Sequence, residues 1–195
     1  IQGEAGVVVP EPGYLSAAFR MCREKQVLFI GDEIQTGIAR TGKMLALDHY
    51  GIKPDILILG KALSGGVLPV SAVLANDEIM LCIRPGGNPL ACAVAREALQ
   101  VVLDEKLADN AQQLGEMFRG ALNELRKETN LLTLVRGQGL LNAIVIDTNE
   151  DSDLAWKICL GFRDKGLLAK PTHGNKIRLA PPLGITEEQL WDCVG

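Results

Sequence analysis

Two apolar runs, each ending in a charged residue, constrain this chain more than any other feature. Val27-Leu28-Phe29-Ile30-Gly31 runs into Asp32-Glu33, and Ile56-Leu57-Ile58-Leu59-Gly60 runs into Lys61. Consecutive β-favouring residues bounded by glycine predict strands buried on both faces of a parallel sheet. Asp32 and Lys61 then stand at strand exits, the edge at which open α/β sheets bind ligands. Taken singly, such an aspartate also serves as a cap and such a lysine as a solvated end. As a pair they divide a chemical task. The amine can condense with an aldehyde, and the carboxylate can keep a heteroaromatic nitrogen protonated.

Composition narrows the partners. With 195 residues, 47% of them hydrophobic, the chain can build a core without staples. Its net charge of -4 gives no reason to expect nucleic acid or an anionic membrane as partner. Cys22, Cys82, Cys92, Cys159 and Cys193 form no C-x-x-C pair, and His49 and His173 stand alone. Neither a metal site nor a disulfide framework is expected, and free thiols suit a reducing compartment such as the cytoplasm or the mitochondrial matrix. No apolar run approaches the roughly 18 residues of a membrane span. The chain opens without Met at Ile1-Gln2-Gly3-Glu4 and stops at Gly195 just inside a well-marked helix, so part of a longer chain is expected.

Along the chain, Val7-Val8-Val9 suggests a strand. Pro12-Gly13 then leads into a helix with Leu15, Ala18, Phe19 and Cys22 on one face. With the Val27 run this predicts a right-handed βαβ unit. Residues 34–42 are polar and glycine-rich, the character of a functional loop. A helical stretch through Leu45 and Tyr50 and a short strand from Val70 to Leu74 are expected on either side of the Lys61 strand. Asn88-Pro89 starts a helix carrying Leu90, Val94, Ala98, Leu99 and Val102. The next helix stripes Leu114, Met117, Phe118, Ala121, Leu122 and Leu125. Strands at Leu134-Val135, Leu141–Ile146 and Lys176–Leu179, a helix over 153–165 and a capping box at Thr186-Glu187-Glu188-Gln189 follow. This pattern predicts one domain over 1–105 and a smaller one over 106–195. Pro85-Gly86-Gly87-Asn88 reads as a turn, and Gly137-Gln138-Gly139 lacks the third glycine of a dinucleotide fingerprint.

Asp32-Glu33-Ile34-Gln35-Thr36-Gly37, Arg40-Thr41-Gly42 and Gly60-Lys61-Ala62-Leu63-Ser64-Gly65-Gly66 resemble, in order and spacing, the signature of the class III pyridoxal-phosphate aminotransferases of fold type I. The resemblance covers the whole chain. Gln2-Gly3-Glu4-Ala5-Gly6, Gly139–Ala143, Leu167–Gly174 and Ile177–Leu183 are similar to the branch of that family that acts on ornithine. The resemblance implies an α/β fold, with a parallel-rich sheet in a large cofactor domain and a smaller C-terminal α/β domain. It further implies a homodimer, pyridoxal 5'-phosphate as cofactor, and amino-acid and 2-oxo-acid substrates. The reaction implied moves the terminal amine of ornithine to 2-oxoglutarate, giving glutamate semialdehyde and glutamate.

By the same resemblance, Lys61 would carry the cofactor as a Schiff base and then shuttle the substrate proton. Asp32 would pair with the pyridine nitrogen, and Gln35 would bond near the phenolic oxygen. Arg178 would bind a carboxylate of glutamate or 2-oxoglutarate, and Glu4 would neutralise it when ornithine presents its amine. Without the resemblance, Glu4 and Arg178 read as an inter-domain salt bridge. The alternatives are another ω-aminotransferase, acting on acetylornithine or 4-aminobutyrate, and a non-catalytic fragment that only dimerises. The chain also departs from the pattern. The family carries a short Ser-Thr segment between the positions of Pro85 and Gly86, donated to the neighbouring subunit's cofactor phosphate, and here it is absent. The family's N-terminal half is absent too, so these residues alone would form an incomplete site.

Overall fold

The computed structural model describes residues 1–83 and 86–195. The expectation about the junction at Pro85 falls outside the described residues. The chain divides into two compact units, one of residues 10–108 and one of residues 1–9 with 109–195. The sequence pattern groups residues 1–9 with the first domain, whereas in the structure they pack with residues 109–195.

The unit of residues 10–108 holds α1 (Tyr14–Glu24), β1 (Ile30–Asp32), β2 (Ile56–Leu59), β3 (Ala72–Ala75), α2 (Asp77–Met80) and α3 (Pro89–Asp104). Its sheet has the order β1-β2-β3, with β1 and β2 parallel and β3 antiparallel to β2. The predicted stripe of α1, Leu15, Ala18, Phe19 and Cys22, is its least exposed face, although none of the four is fully buried. Phe19 meets Phe29 edge to face, with ring centroids 5.3 Å apart. The expectation of a strand from Val27 buried on both faces fails. β1 begins only at Ile30, and Val27, Leu28 and Ile30 are each more than half exposed. Burial of a strand on both sides needs neighbours on both faces and both edges, and among the described residues β1 pairs with one strand, β2.

Nor do residues 7–9 form a strand. Val8 makes a single bridge to Gln2, and Val7 adopts φ 56°. The predicted βαβ unit through α1 is therefore not formed, and the parallel pair is joined by an irregular segment with a 3-10 turn at Ala46–Tyr50. Asn88 caps α3 by accepting the Leu90 N–H at 3.0 Å, with Pro89 at the first position. The buried face of α3 runs through Ala91, Ala95 and Val102, and Leu90, one position off that stripe, is exposed.

The other unit follows with α4 (Leu107–Glu128), β4 (Leu132–Gln138), β5 (Leu141–Ile146), α5 (Leu154–Asp164), β6 (Lys170–Thr172), β7 (Lys176–Leu179) and α6 (Glu187–Asp192). Its sheet is wholly antiparallel in the order β4-β5-β7-β6. One face, with Val135, Ile144, Ile146, Ile177 and Leu179, joins Leu114, Phe118 and Leu122 of α4 in the main core. The other face bears Leu141 and Ala143, which Val7 and Ile1 cover. The Thr186–Gln189 capping box forms as the sequence predicts.

Gly115, in the middle of α4, is costly on helix propensity alone. The structure explains it. A Cβ there would lie 1.9 Å from the carbonyl oxygen of Gly139, in the β4–β5 turn. Arg119, one turn on, donates to that same carbonyl and to Asn142 Oδ1, each at 2.8 Å, and burial pushes its guanidinium pKa down. Gly115→Ala is expected to destabilise this unit by about 2 kcal/mol despite the gain in propensity, because the turn backbone must retreat. Urea unfolding with unchanged slope and a lowered midpoint is the check.

Candidate active site

The five candidate residues fall into two groups. Asp32, Gln35 and Lys61 belong to the unit of residues 10–108, and Glu4 and Arg178 to the other.

Asp32 is the last residue of β1, opposite Ile58 in the parallel register, and Lys61 follows β2 by two residues. The two residues therefore leave neighbouring strands at the same edge of the sheet, and both are exposed. Gly60 is extended, and Lys61 turns to φ 44°, a conformation that side-chain-bearing residues avoid. A short 3-10 turn, Lys61–Ser64, holds it there. The Ser64 hydroxyl donates to the Lys61 carbonyl at 2.9 Å and accepts the Gly66 N–H at 3.1 Å. Leu63 is buried, and Gly65 packs on α3 so closely that a Cβ would come within 2.8 Å of the Ala98 Cβ. Strain kept in this way by its surroundings is typical of functional positions. Lys61→Gly is expected to be more stable than Lys61→Ala by about 1 kcal/mol, since only glycine adopts this φ freely. Thermal unfolding of the two variants measures it.

Asp32 Oδ1 accepts the Ile34 N–H at 3.0 Å, a bond within the turn and not the helix cap that such an aspartate would make, since no helix begins there. Gln35 is half-buried in the turn that follows. The residue that shapes this turn is Glu33, which the sequence reading did not single out as a site residue. Its carboxylate is 2% exposed, accepts the Thr36 hydroxyl through Oε2, and accepts the Leu47 N–H through Oε1 at 2.8 Å. One buried acid thus ties both ends of the 34–47 segment beside Asp32. The Gly37 N–H also donates to the Glu33 carbonyl at 2.9 Å. Further along, Ile38 and Ala39 both take positive φ and are buried, and burial lowers the Arg40 pKa. The glycine-rich loop is therefore a packed element.

Glu4 and Arg178 meet directly, Arg178 Nη1 donating to Glu4 Oε1 at 3.0 Å. The sequence alone suggested a bridge between domains; both residues lie in one compact unit. The Glu4 side chain is 67% exposed and that of Arg178 19%. An ion pair exposed on one side in this way is worth little to stability.

The chain matches, over residues 1–195, the family described as aminotransferase class-III. It is 57% identical to the ornithine aminotransferase, mitochondrial, of Rattus norvegicus over 201 aligned positions, covering 100% of this chain and 45% of that protein. The corresponding protein of Drosophila melanogaster is 56% identical, with 100% and 46% covered. Among solved structures, the acetylornithine aminotransferase of Elizabethkingia anophelis superposes with a TM-score of 0.95 at 60% identity, over 100% of this chain and 50% of that one. An ornithine delta-aminotransferase of Plasmodium falciparum does so with a TM-score of 0.94 at 48% identity, over 100% and 52%. The chain spans about half the length of the curated relatives it matches. With the family match running from the first residue to the last, the chain belongs to the class-III aminotransferases.

Proposed function

We propose that this chain carries the cofactor-anchoring lysine and the substrate-selecting ion pair of an ornithine aminotransferase. That enzyme moves the terminal amine of ornithine to 2-oxoglutarate. The observation that carries this reading is the Glu4–Arg178 pair, in a chain whose relatives bear that name. Closed, the pair presents a neutral surface that tolerates the cationic end of a diamine. Open, it offers a guanidinium fork to the carboxylate of a 2-oxo acid.

The donor set at the other group fits pyridoxal 5'-phosphate. Lys61 offers an amine for its aldehyde, Asp32 a carboxylate for its ring nitrogen, and Gln35 an amide for its phenolic oxygen. When bound, that group supplies an electron sink for charge developing at the substrate carbon. Lys61 Nζ would hold it and would then take and return the proton at the substrate carbon. Asp32 would face the ring nitrogen, and the Glu33 clamp would keep the adjoining turn in place.

A homodimer in a reducing compartment, the cytoplasm or the mitochondrial matrix, completes the reading. The five free cysteines are consistent with that compartment, and the rat relative is named mitochondrial. The identity to a protein named acetylornithine aminotransferase favours a second reading, in which the donor's α-nitrogen is blocked as an amide. Product analysis of the full-length protein with ornithine, acetylornithine and 4-aminobutyrate in competition decides between them. Ornithine consumption with release of a semialdehyde is the expected result, and preference for the acetylated donor overturns it.

A further inference from the structure

The Glu4–Arg178 pair is set on a cross-strand row. Arg136 of β4 pairs with Ala143 of β5, and Ala143 pairs with Arg178 of β7. Directly paired residues point to the same face, so both guanidinium groups rise on one side of the sheet with a buried alanine between them. Over that face lies the turn that carries Glu4. It is closed by two Gln2–Val8 backbone bonds of 3.0 Å and by the Gly6 and Val7 N–H groups donating to the Gly3 carbonyl at 3.2 Å.

Arg178 takes the carboxylate of this turn, and Arg136 takes its backbone. Nε donates to the Gly6 carbonyl at 2.8 Å and Nη2 to the Ala5 carbonyl at 3.4 Å. The Arg136 fork thus donates to two carbonyls of the turn just after Glu4. The turn is built to receive it. A Cβ on Gly6 would come within 2.6 Å of Lys176 Cδ and 3.1 Å of Arg136 Nη2. Val7, fully buried on Leu141 and Ala143, holds a left-handed backbone that a β-branched residue does not choose unaided.

From this geometry we infer that Arg136 is a positioning residue for the Glu4–Arg178 switch. It holds the Glu4 backbone over Arg178, so that the carboxylate returns to the same place each time the pair opens. The inference rests on the proposed role of that pair. Without Arg136, Glu4 opens and does not reliably close. Arg178 then stays available to carboxylates, and a donor whose reacting amine lies beside a carboxylate gains on one that presents a terminal amine.

The test uses the full-length holoenzyme and measures both half-reactions, with ornithine and with glutamate as donors. Arg136→Met keeps an unbranched apolar stem, shorter than arginine's reach, and removes every donor. It is expected to raise the glutamate-to-ornithine ratio of kcat/KM about tenfold, in the direction of Glu4→Ala. Arg136→Lys, with one ammonium for two carbonyls, is expected to shift it less, and it stands in if the methionine variant folds poorly. Hydrogen exchange is the second readout. Amides of residues 6–8 are expected to exchange faster in Arg136→Met, while those of β5 and β7 do not change. A ratio unmoved in both Arg136 variants, with Glu4→Ala shifting it, overturns the positioning role and leaves the switch intact. Unchanged exchange at residues 6–8 also overturns that role. A ratio unmoved in Glu4→Ala itself overturns the switch and the positioning role together.

Discussion

Replacing Lys61 by alanine in the full-length protein is expected to lower kcat for amine transfer by at least about 10⁴-fold. The residue would serve twice. Its amine would hold the cofactor's carbonyl carbon, and once displaced by substrate it would become the base that moves the proton at the substrate carbon. Alanine removes both actions and replaces neither. The fold should be little affected, because the side chain is exposed and alanine shares the backbone strain of lysine at φ 44°. Turnover should therefore collapse while the unfolding midpoint moves by only a few degrees. A small primary amine added to the variant should restore part of the rate, since a free base can occupy the vacated space, and rescue should rise with the amine's basicity. Borohydride supplies a check that needs no turnover. With cofactor present, reduction should fix a pyridoxyl group on Lys61 of the natural chain and leave Lys61→Ala unlabelled at that position. A natural chain that folds and takes no label would instead support the fragment that only dimerises.

The placement of Asp32 and Lys61 is legible in the sequence, for a specific reason. Asp32 and Lys61 are each preceded by a short apolar run, and two such runs in parallel bring their ends to one edge of the sheet. Helix signals carried equally well. Asn88-Pro89, the Thr186–Gln189 box and the i, i+3, i+4, i+7 set of α1 are local codes, and local chemistry realises them. What failed depended on neighbours. Val27 and Leu28 read as buried strand residues because they are apolar, but they precede β1 and stand exposed. Val7-Val8-Val9 has strand composition, yet Val7 is left-handed and follows a turn whose Gly6 carbonyl accepts from Arg136. Glu33 gave no warning of its clamp, because its partners, Thr36 and the Leu47 N–H, meet it only once the loop has closed. Strand alternation places Arg136 opposite Val135, away from the core, and nothing in that pattern tells its carbonyl partners from water.

Arg178→Met is the other change with a large expected effect, and it separates the two halves of the reaction. For the 2-oxo-acid half, kcat/KM is expected to fall about 10³-fold, the scale of removing one member of a hydrogen-bonded charge pair at a binding surface. The loss has two sources. The acceptor's carboxylate loses its bidentate partner, and Glu4, left without this guanidinium, repels the incoming anion. For the ornithine half the change should stay within a few fold, because a terminal ammonium asks nothing of Arg178 and meets a carboxylate that no longer has Arg178 to satisfy. Arg178→Lys should fall between them, keeping the charge and losing the planar fork. Stability offers the control. The pair is exposed on the Glu4 side, so breaking it should cost no more than about 1 kcal/mol and leave thermal unfolding nearly unchanged. Rapid-mixing measurements of each half-reaction, followed by cofactor absorbance, give the comparison. If both halves fall by the same factor, Arg178 is only a sheet residue whose loss disturbs the unit as a whole. If the 2-oxo-acid half alone falls, discrimination between a diamine and a dicarboxylate rests on one ion pair that opens for the second substrate and closes for the first.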